Sequence, residues 1–336
     1  MVVFMKEIGS EFWDVPISDK KSNLFPDSTQ WFVSGRSALK SIVMELGRSQ
    51  SVAMPSWCCD SMIKPFIDAG MKVSFYPVLF DGKLTQEKTY DCDVLFLIDY
   101  FGYTGMQSVL SEFKGVVIRD VTHSLFSASY SDADYYFGSL RKWCGVWTGG
   151  YAWAEDGHKL DVNSVEEEDY VRLREAAMKQ KAEYVSGIRE DKKYLELYRY
   201  AEGSLDNMGI CKASERDINC ALYLDANQIR RKRRDNAEVL RQSFADWLVF
   251  PEMKDSDCPM FVPIIVPDGK RDNLRHFLIS NEIYCPVHWP VSVYHKLDEQ
   301  TRYIYDNELS LVCDQRYNED DMNRMVKTIK LFWKEA

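Results

Sequence analysis

The feature that most constrains this chain is a set of short apolar runs closed by charge at both ends. VLFLI at 94–98 sits between Asp93 and Asp99, and VVI at 116–118 leads into Arg119 and Asp120. Apolar runs that short, without alternation, fit strands buried on both faces. Candidate strands at 51–54, 72–78, 94–98, 116–119, 134–138 and 150–154 are separated by amphipathic stretches. Between Ser37 and Gly47, for example, apolar residues fall at 38, 39, 42, 43 and 46, a helical spacing closed by glycine. The alternation predicts an α/β fold, a mostly parallel sheet sandwiched by helices. The polar strand ends should line a cleft, because such sheets bind ligands at the carboxyl ends of their strands.

The second half changes character. From Val165 to Tyr200 the chain is rich in Glu, Lys, Arg and Ala, with Ser164 as a cap and Glu166, Glu167, Glu168 and Asp169 in the first turn, where the helix dipole favours acids. One or two long surface helices are expected there. A helix over 214–243 follows, then β-rich WLVF (247–250) and MFVPIIVP (260–267), a helix near 269–281, a short strand, and a last helix from about 318. The expected division is a large α/β domain over 1–235 and a small α+β domain over 236–336.

Composition removes several function classes. Among 336 residues, 42 Lys and Arg stand against 52 Asp and Glu, a net charge of −10 that disfavours a general nucleic-acid binder. The basic run Arg230–Arg234 reads as a solvated helix face. Nine cysteines without a C-x-x-C pair suggest neither a disulfide framework nor a metal site, and adjacent Cys58 and Cys59 read as packing residues. No run approaches the ~18 apolar residues of a membrane helix, and Lys6 and Glu7 interrupt any signal-like segment, so a soluble cytoplasmic protein is expected. Nicotinamide and P-loop nucleotide readings lack their glycine-rich loops.

Three segments carry chemistry. In DYYFGSLRKWCGVWTGG (134–150) a strand runs through Gly138 and Ser139 to Lys142, then to the pair Gly149-Gly150. A lysine wedged among Tyr136, Phe137, Trp143 and Trp147 is either an ordinary surface lysine or an imine-forming amine of lowered pKa. In RDVTHS (119–124), Asp120 closes a buried strand and His123 follows, where turn-forming and structural roles compete with a functional one. In SGRSAL (34–39), free amides at a helix start and the Ser37 hydroxyl make a phosphate cradle. Cradle, carboxylate and lysine are the parts that a pyridoxal phosphate site requires.

Gly35-Arg36-Ser37-Ala38-Leu39 resembles the G-T-S-A-L phosphate motif of the DegT/DnrJ/StrS family of pyridoxal-phosphate-dependent sugar aminotransferases. The rest follows in that family's order: VAMPSWCCDSMIKPFIDAGMKVSFYPV at 52–78, IDYFG at 98–102, VIRDVTH at 117–123, Lys142 before Gly149-Gly150, the helix at 213–240, NEIYCPVHWP at 281–290 and LSLVCDQRY at 309–317. The resemblance implies a fold-type I transferase working as a homodimer on small molecules, with pyridoxal 5'-phosphate as cofactor, an amino-acid donor, glutamate foremost, and a nucleotide-linked keto sugar as acceptor. It implies Lys142 as the Schiff-base lysine and Asp120 as partner of the ring nitrogen, with His123 beside the ring. Gly35, Arg36, Ser37 and Ser139 would take the phosphate, Trp57 or Tyr100 would stack on the ring, and His288 would face the substrate. The chain departs from the family at Cys59, where an aromatic often stacks, at Arg119, where an acid is usual, at Phe137, where a phosphate-binding Ser is common, and in MGICKAS (208–214), which lacks the partner-subunit Asn. A lyase of the same fold and a non-catalytic scaffold remain as other readings.

Overall fold

The computed structural model describes residues 7–47, 49–104, 113–127, 132–163, 165 and 167–335. The first half runs β1 (Ile8–Gly9), β2 (Gln30–Phe32), α1 (Gly35–Glu45), β3 (Ser51–Pro55), α2 (Asp60–Asp68), β4 (Lys72–Tyr76), the hairpin β5 (Val78–Phe80) and β6 (Leu84–Gln86), then β7 (Val94–Ile98), β8 (Val116–Asp120), β9 (Tyr135–Ser139) and β10 (Gly150–Ala154). Seven of these strands form one sheet in the order β2-β10-β9-β8-β7-β3-β4. Strands β9 through β4 are parallel, and β10 runs against its neighbours β9 and β2.

All five residues of β7 are buried, the outcome the uninterrupted VLFLI run requires. The expected strands 94–98 and 150–154 match residue for residue, while 72–78 divides at Pro77, whose missing N–H cannot continue a ladder. Helix α1 starts two residues before the expected Ser37 because Ser34 caps it, its Oγ accepting from the Ser37 amide at 3.2 Å. Strand β2, three residues long, has too few positions to show a period.

The charged stretch after β10 forms two helices, α3 (Glu168–Val185) and α4 (Tyr194–Ser204), with Gly187 between them at φ +78°. They are less superficial than their composition suggests. Ala177 and Met178 of α3 pack on Tyr194 and Tyr198 of α4. Ser164 and Glu166, the expected cap and first-turn acid, lie outside the described residues. The 214–243 stretch is likewise two helices, α5 (Glu215–Leu222) and α6 (Ala226–Ser243), the second capped by Asp225, which accepts from the Gln228 amide. The position 235/236 falls inside α6.

The basic run on α6 corrects an expectation. Arg233 is 1% exposed, stacks over Trp143 at 4.4 Å and donates to the Met260 carbonyl; Arg230 donates to the Phe126 carbonyl and Arg234 to the carbonyls of Lys254 and Asp257. The run is a fastener for the 254–260 loop, whose carbonyls have no ladder to satisfy them, and a guanidinium carries five donors for that purpose.

The chain ends with β11 (Phe261–Ile265), α7 (Arg271–Ser280), β12 (Ile283–Tyr284), α8 (Glu299–Asn307), β13 (Glu308–Val312) and α9 (Glu319–Glu335). Strand β11 pairs with β13 in antiparallel register, and β1 pairs in parallel with β12. Ile8 of β1 therefore joins the core of Leu240, Val262, Leu274, Leu309 and Met325. WLVF at 247–250 makes only the single bridge Leu248–Ile264 in place of a strand, and α8 was not expected.

Candidate active site

Adjacent strands β8 and β9 end at Asp120 and Ser139, with Asp120 opposite Phe137, and a 3₁₀ turn, Leu140–Lys142, carries the chain on. The sequence expected Lys142 either wedged inside or on the surface. Its neighbours Trp143 and Leu140 are fully buried, but Lys142 is exposed, opening into a cavity of about 490 Å³ that it shares with Arg141, Glu202, Arg275, Tyr284 and His288. Among the described residues, no carboxylate pairs with its amine.

Asp120 is 3% exposed and accepts from the Thr122 amide at 2.8 Å. Burial raises its carboxyl to about 6, while the Thr122 hydrogen bonds and the Lys142 charge oppose that rise. His123 is buried against Phe101 and Trp289, with the Phe101 amide donating to its Nδ1. Burial, with Lys142 adding to it, pushes that imidazole down to about 3, so it stays neutral.

The cradle at α1 is built by close approach. A Cβ on Gly35 would lie 3.3 Å from the Gly138 carbonyl oxygen and from the Ser139 Cβ, and one on Gly150 would lie 2.1 Å from the Ser34 carbonyl oxygen. Ser139 Oγ is buried there without a hydrogen-bond partner among the described residues. The amides of Ser37 and Ala38 are taken by Ser34, which leaves those of Gly35 and Arg36, the first of the helix, without an intrahelical acceptor. The Ser37 hydroxyl is already engaged, donating to the Gly209 carbonyl at 2.9 Å and accepting from the Cys211 amide. The Arg36 guanidinium turns away to Glu202 at 2.9 Å, where Arg141 also binds at 3.0 Å. Burial would raise the Glu202 carboxyl, but the two arginines hold it well below the usual range.

Trp57 and Tyr100 stack on one another, centroids 4.9 Å apart at 16°, both within 1% of full burial. Trp57 Nε1 donates to the His288 carbonyl and the Tyr100 hydroxyl to the Trp57 carbonyl. Trp289 packs edge-on against Trp57 with centroids 5.7 Å apart, and Tyr100 has Asp120 as an electrostatic neighbour. Cys59, in contrast, has both Asp120 and Lys142 as electrostatic neighbours.

The departures at 119 and 137 have structural reasons. Residues alternate across a strand, so Arg119 points away from Asp120. Its guanidinium, 0% exposed, binds Asp99 at 2.7 Å and also Asp132. Phe137 packs on Phe96 with centroids 5.9 Å apart. Ser139 lies two residues on and on the same face of β9.

His288 is 7% exposed and faces the cavity. It is gripped by two residues that sequence reading missed, Glu308 and Ser310. The signal was present in ELSLV, where two polar residues at i and i+2 share one face of an otherwise apolar strand. Burial raises the Glu308 carboxyl to about 8, opposed by hydrogen bonds from Ser310 and the His288 amide. The folded chain thus keeps a proton that the unfolded chain sheds near the ordinary glutamate range, so stability falls as pH rises from about 4.5 towards 8, by roughly 1.4 kcal/mol per unit. Glu308→Gln removes that slope: the difference between wild-type and variant urea stabilities, measured at pH 6.5 and 8, is expected to change by about 2 kcal/mol.

No family model matches the chain, and no curated protein matches it. Solved structures do. PseC of Helicobacter pylori, an aminotransferase involved in the biosynthesis of pseudoaminic acid, aligns with TM-score 0.64 at 15% identity over 97% of this chain and 100% of that one. TlmJ of Streptoalloteichus hindustanus, an aminotransferase, gives 0.64 at 15% over 92% and 86%. The PLP-form of Spr1654 from Streptococcus pneumoniae gives 0.63 at 14% over 96% and 93%. The chain has the fold of these aminotransferases, a large mostly parallel α/β sheet with a smaller α+β unit at its C-terminal end.

Proposed function

We propose that the protein is a pyridoxal-5'-phosphate-dependent aminotransferase of the DegT/DnrJ/EryC1/StrS kind, acting between an amino-acid donor and a keto sugar carried on a nucleotide. The observation that carries this reading is an exposed lysine amine just past β9, the buried Asp120 carboxyl within its electrostatic reach at the end of the adjacent β8, and a Ser139 hydroxyl without a hydrogen-bond partner among the described residues, packed beside Gly35 at the start of α1. Each answers one part of the cofactor: its aldehyde, its ring nitrogen and its phosphate. The acceptor class rests on likeness to proteins such as DesI, solved in the presence of its TDP-sugar product.

The cofactor, when bound, supplies an electron sink for the electrons left when the donor loses its α-proton. The chain does the rest. Lys142 would hold the cofactor covalently, and its amine, once freed, would move the proton at the donor α-carbon. Asp120 would keep a proton on the ring nitrogen. Ser139 and the first amides of α1 would hold the phosphate, with Gly35 giving the room and Arg36 held aside by Glu202. Cys59, where the family often has an aromatic, would sit by the ring without stacking, and His123 would pack beside it.

Arg275, also lining the cavity, pairs with no described carboxylate, and its Nε is buried without a hydrogen-bond partner among the described residues. We read it as the group that meets the donor carboxylate. Arg275→Gln is expected to raise the donor KM about 10–100-fold, the worth of a charge-assisted hydrogen bond, and to leave the acceptor KM within about twofold. Steady-state kinetics with each substrate varied in turn checks this.

The homodimer, the cytoplasmic location and the division near residue 235 belong to the same reading. Among the described residues, no helix is long and apolar enough to cross a membrane. The direct test of function mixes the cofactor-loaded protein with single amino acids and follows loss of its visible band, then adds nucleotide-linked keto sugars and follows its return. Bleaching by glutamate and recovery with a keto sugar are expected. A protein that takes up no cofactor would leave the scaffold reading.

A further inference from the structure

His288 is held from two sides by one strand. Its backbone N–H donates to Glu308 Oε2 at 2.8 Å, its Nδ1 lies 2.8 Å from Ser310 Oγ, and Ser310 Oγ is in turn bonded to Glu308 Oε1. Glu308 and Ser310 are both 0% exposed, so no solvent intervenes. The opposite ring nitrogen, Nε2, has no hydrogen-bond partner among the described residues, and the histidine lines the Lys142 cavity.

A hydroxyl has one proton to give, so this closed ring of groups has two arrangements. With Glu308 as a carboxylate, Ser310 donates to Glu308 and accepts from His288 Nδ1–H, leaving Nε2 a bare lone pair. With Glu308 as a carboxylic acid, Glu308 donates to Ser310, Ser310 donates to Nδ1, and the histidine proton sits on Nε2. We propose that Glu308 and Ser310 are positioning residues that decide which nitrogen of His288 carries the proton, and so whether the imidazole offers the cavity a donor or an acceptor.

Two further facts fit. Burial holds the His288 imidazole well below its ordinary value, so the ring stays neutral and its tautomer is the open variable. Burial also lifts the Glu308 carboxyl to about 8, which makes the acid form the one present at neutral pH. The titratable and charged groups facing the pair are Arg271 of α7, whose Nη1 donates to the Glu308 carbonyl at 3.1 Å, Cys285 beside β12, and His123 and Lys142 across the cavity. Strand β11 places apolar Ile265 opposite Glu308. At neutral pH His288 therefore presents Nε2–H, a donor for an anionic or carbonyl oxygen of the substrate; above about 8 it presents a lone pair. The catalytic meaning of this rests on the function proposed above, whereas the tautomer itself does not.

The test uses the cofactor-free protein, which separates the two. The chain has five histidines, so ¹⁵N-histidine labelling gives a tractable spectrum, with His288 assigned by its loss in His288→Gln. From pH 7 to pH 9.5 the proton on His288 is expected to move from Nε2 to Nδ1, seen as an exchange of the two ring ¹⁵N shifts. Glu308→Gln, whose carbonyl oxygen takes the His288 N–H and so turns its NH2 to donate to Ser310, locks Nε2–H across the range, and Ser310→Ala uncouples the tautomer from pH. A single unchanging tautomer in the wild type, or the same pH-driven exchange in Glu308→Gln, overturns the proposal whether or not the chain proves to be an aminotransferase.

Discussion

Lys142→Ala is expected to lower turnover by about 10³-fold or more, because in the proposed reaction one amine both holds the cofactor and carries the proton at the donor carbon. The variant should still fold as the wild type does. Lys142 is exposed in the cavity and pairs with no described acid, so its removal leaves no buried charge behind. The two roles separate experimentally. A small primary amine added to the variant can carry the proton without tethering anything, so partial recovery of rate with ethylamine is expected, while covalent attachment stays lost. Loss below tenfold would mean that another lysine holds the cofactor.

The largest expected effect on stability lies on the other face of β8. Arg119→Met leaves Asp99, 1% exposed, with only the Ser124 hydroxyl as a side-chain partner, and breaking a buried pair from one side costs about 3–5 kcal/mol. Burial already raises the Asp99 carboxyl against the Arg119 charge that lowers it, so the orphaned acid would take up a proton at higher pH. Urea denaturation measures the loss. Removing both charges, as Arg119→Met with Asp99→Leu, should return most of it, since apolar pairs of similar volume replace buried ion pairs at little cost. A single variant within about 1 kcal/mol of wild type would show that Asp132 and Asp99 are solvated as they stand.

The fold was largely legible because its central strands are buried on both faces. VLFLI between two aspartates has one good solution, and it folded residue for residue as read. What escaped lacked a local signal: β2 is three residues long, and the break at Tyr223–Asp225 interrupts a pattern that looks continuous along the chain. The basic run on α6 misled because charge in sequence says nothing of which carbonyls lie across from it.

At the candidate site, Asp120 and Ser139 end their strands and Lys142 closes the turn that follows, positions that the strand boundaries make legible in sequence. Their neighbours are not. Glu308 and Ser310 approach His288 from twenty or more positions away, and the engagement of the Ser37 hydroxyl by Gly209 and Cys211 spans more than 170 residues. Trp57 and Tyr100 were read as candidates for stacking on a ligand, and in the structure they stack on one another. Such groupings arise from packing and leave no trace in spacing.

The central claim is that Lys142, an electrostatic neighbour of Asp120, binds pyridoxal phosphate covalently. The measurement that bears on it most directly is reduction of the cofactor-loaded protein with borohydride, followed by peptide mapping. The account predicts one pyridoxyl group per chain, on Lys142, and none in Lys142→Ala. A label on a different lysine, or no label in a folded protein, would contradict it.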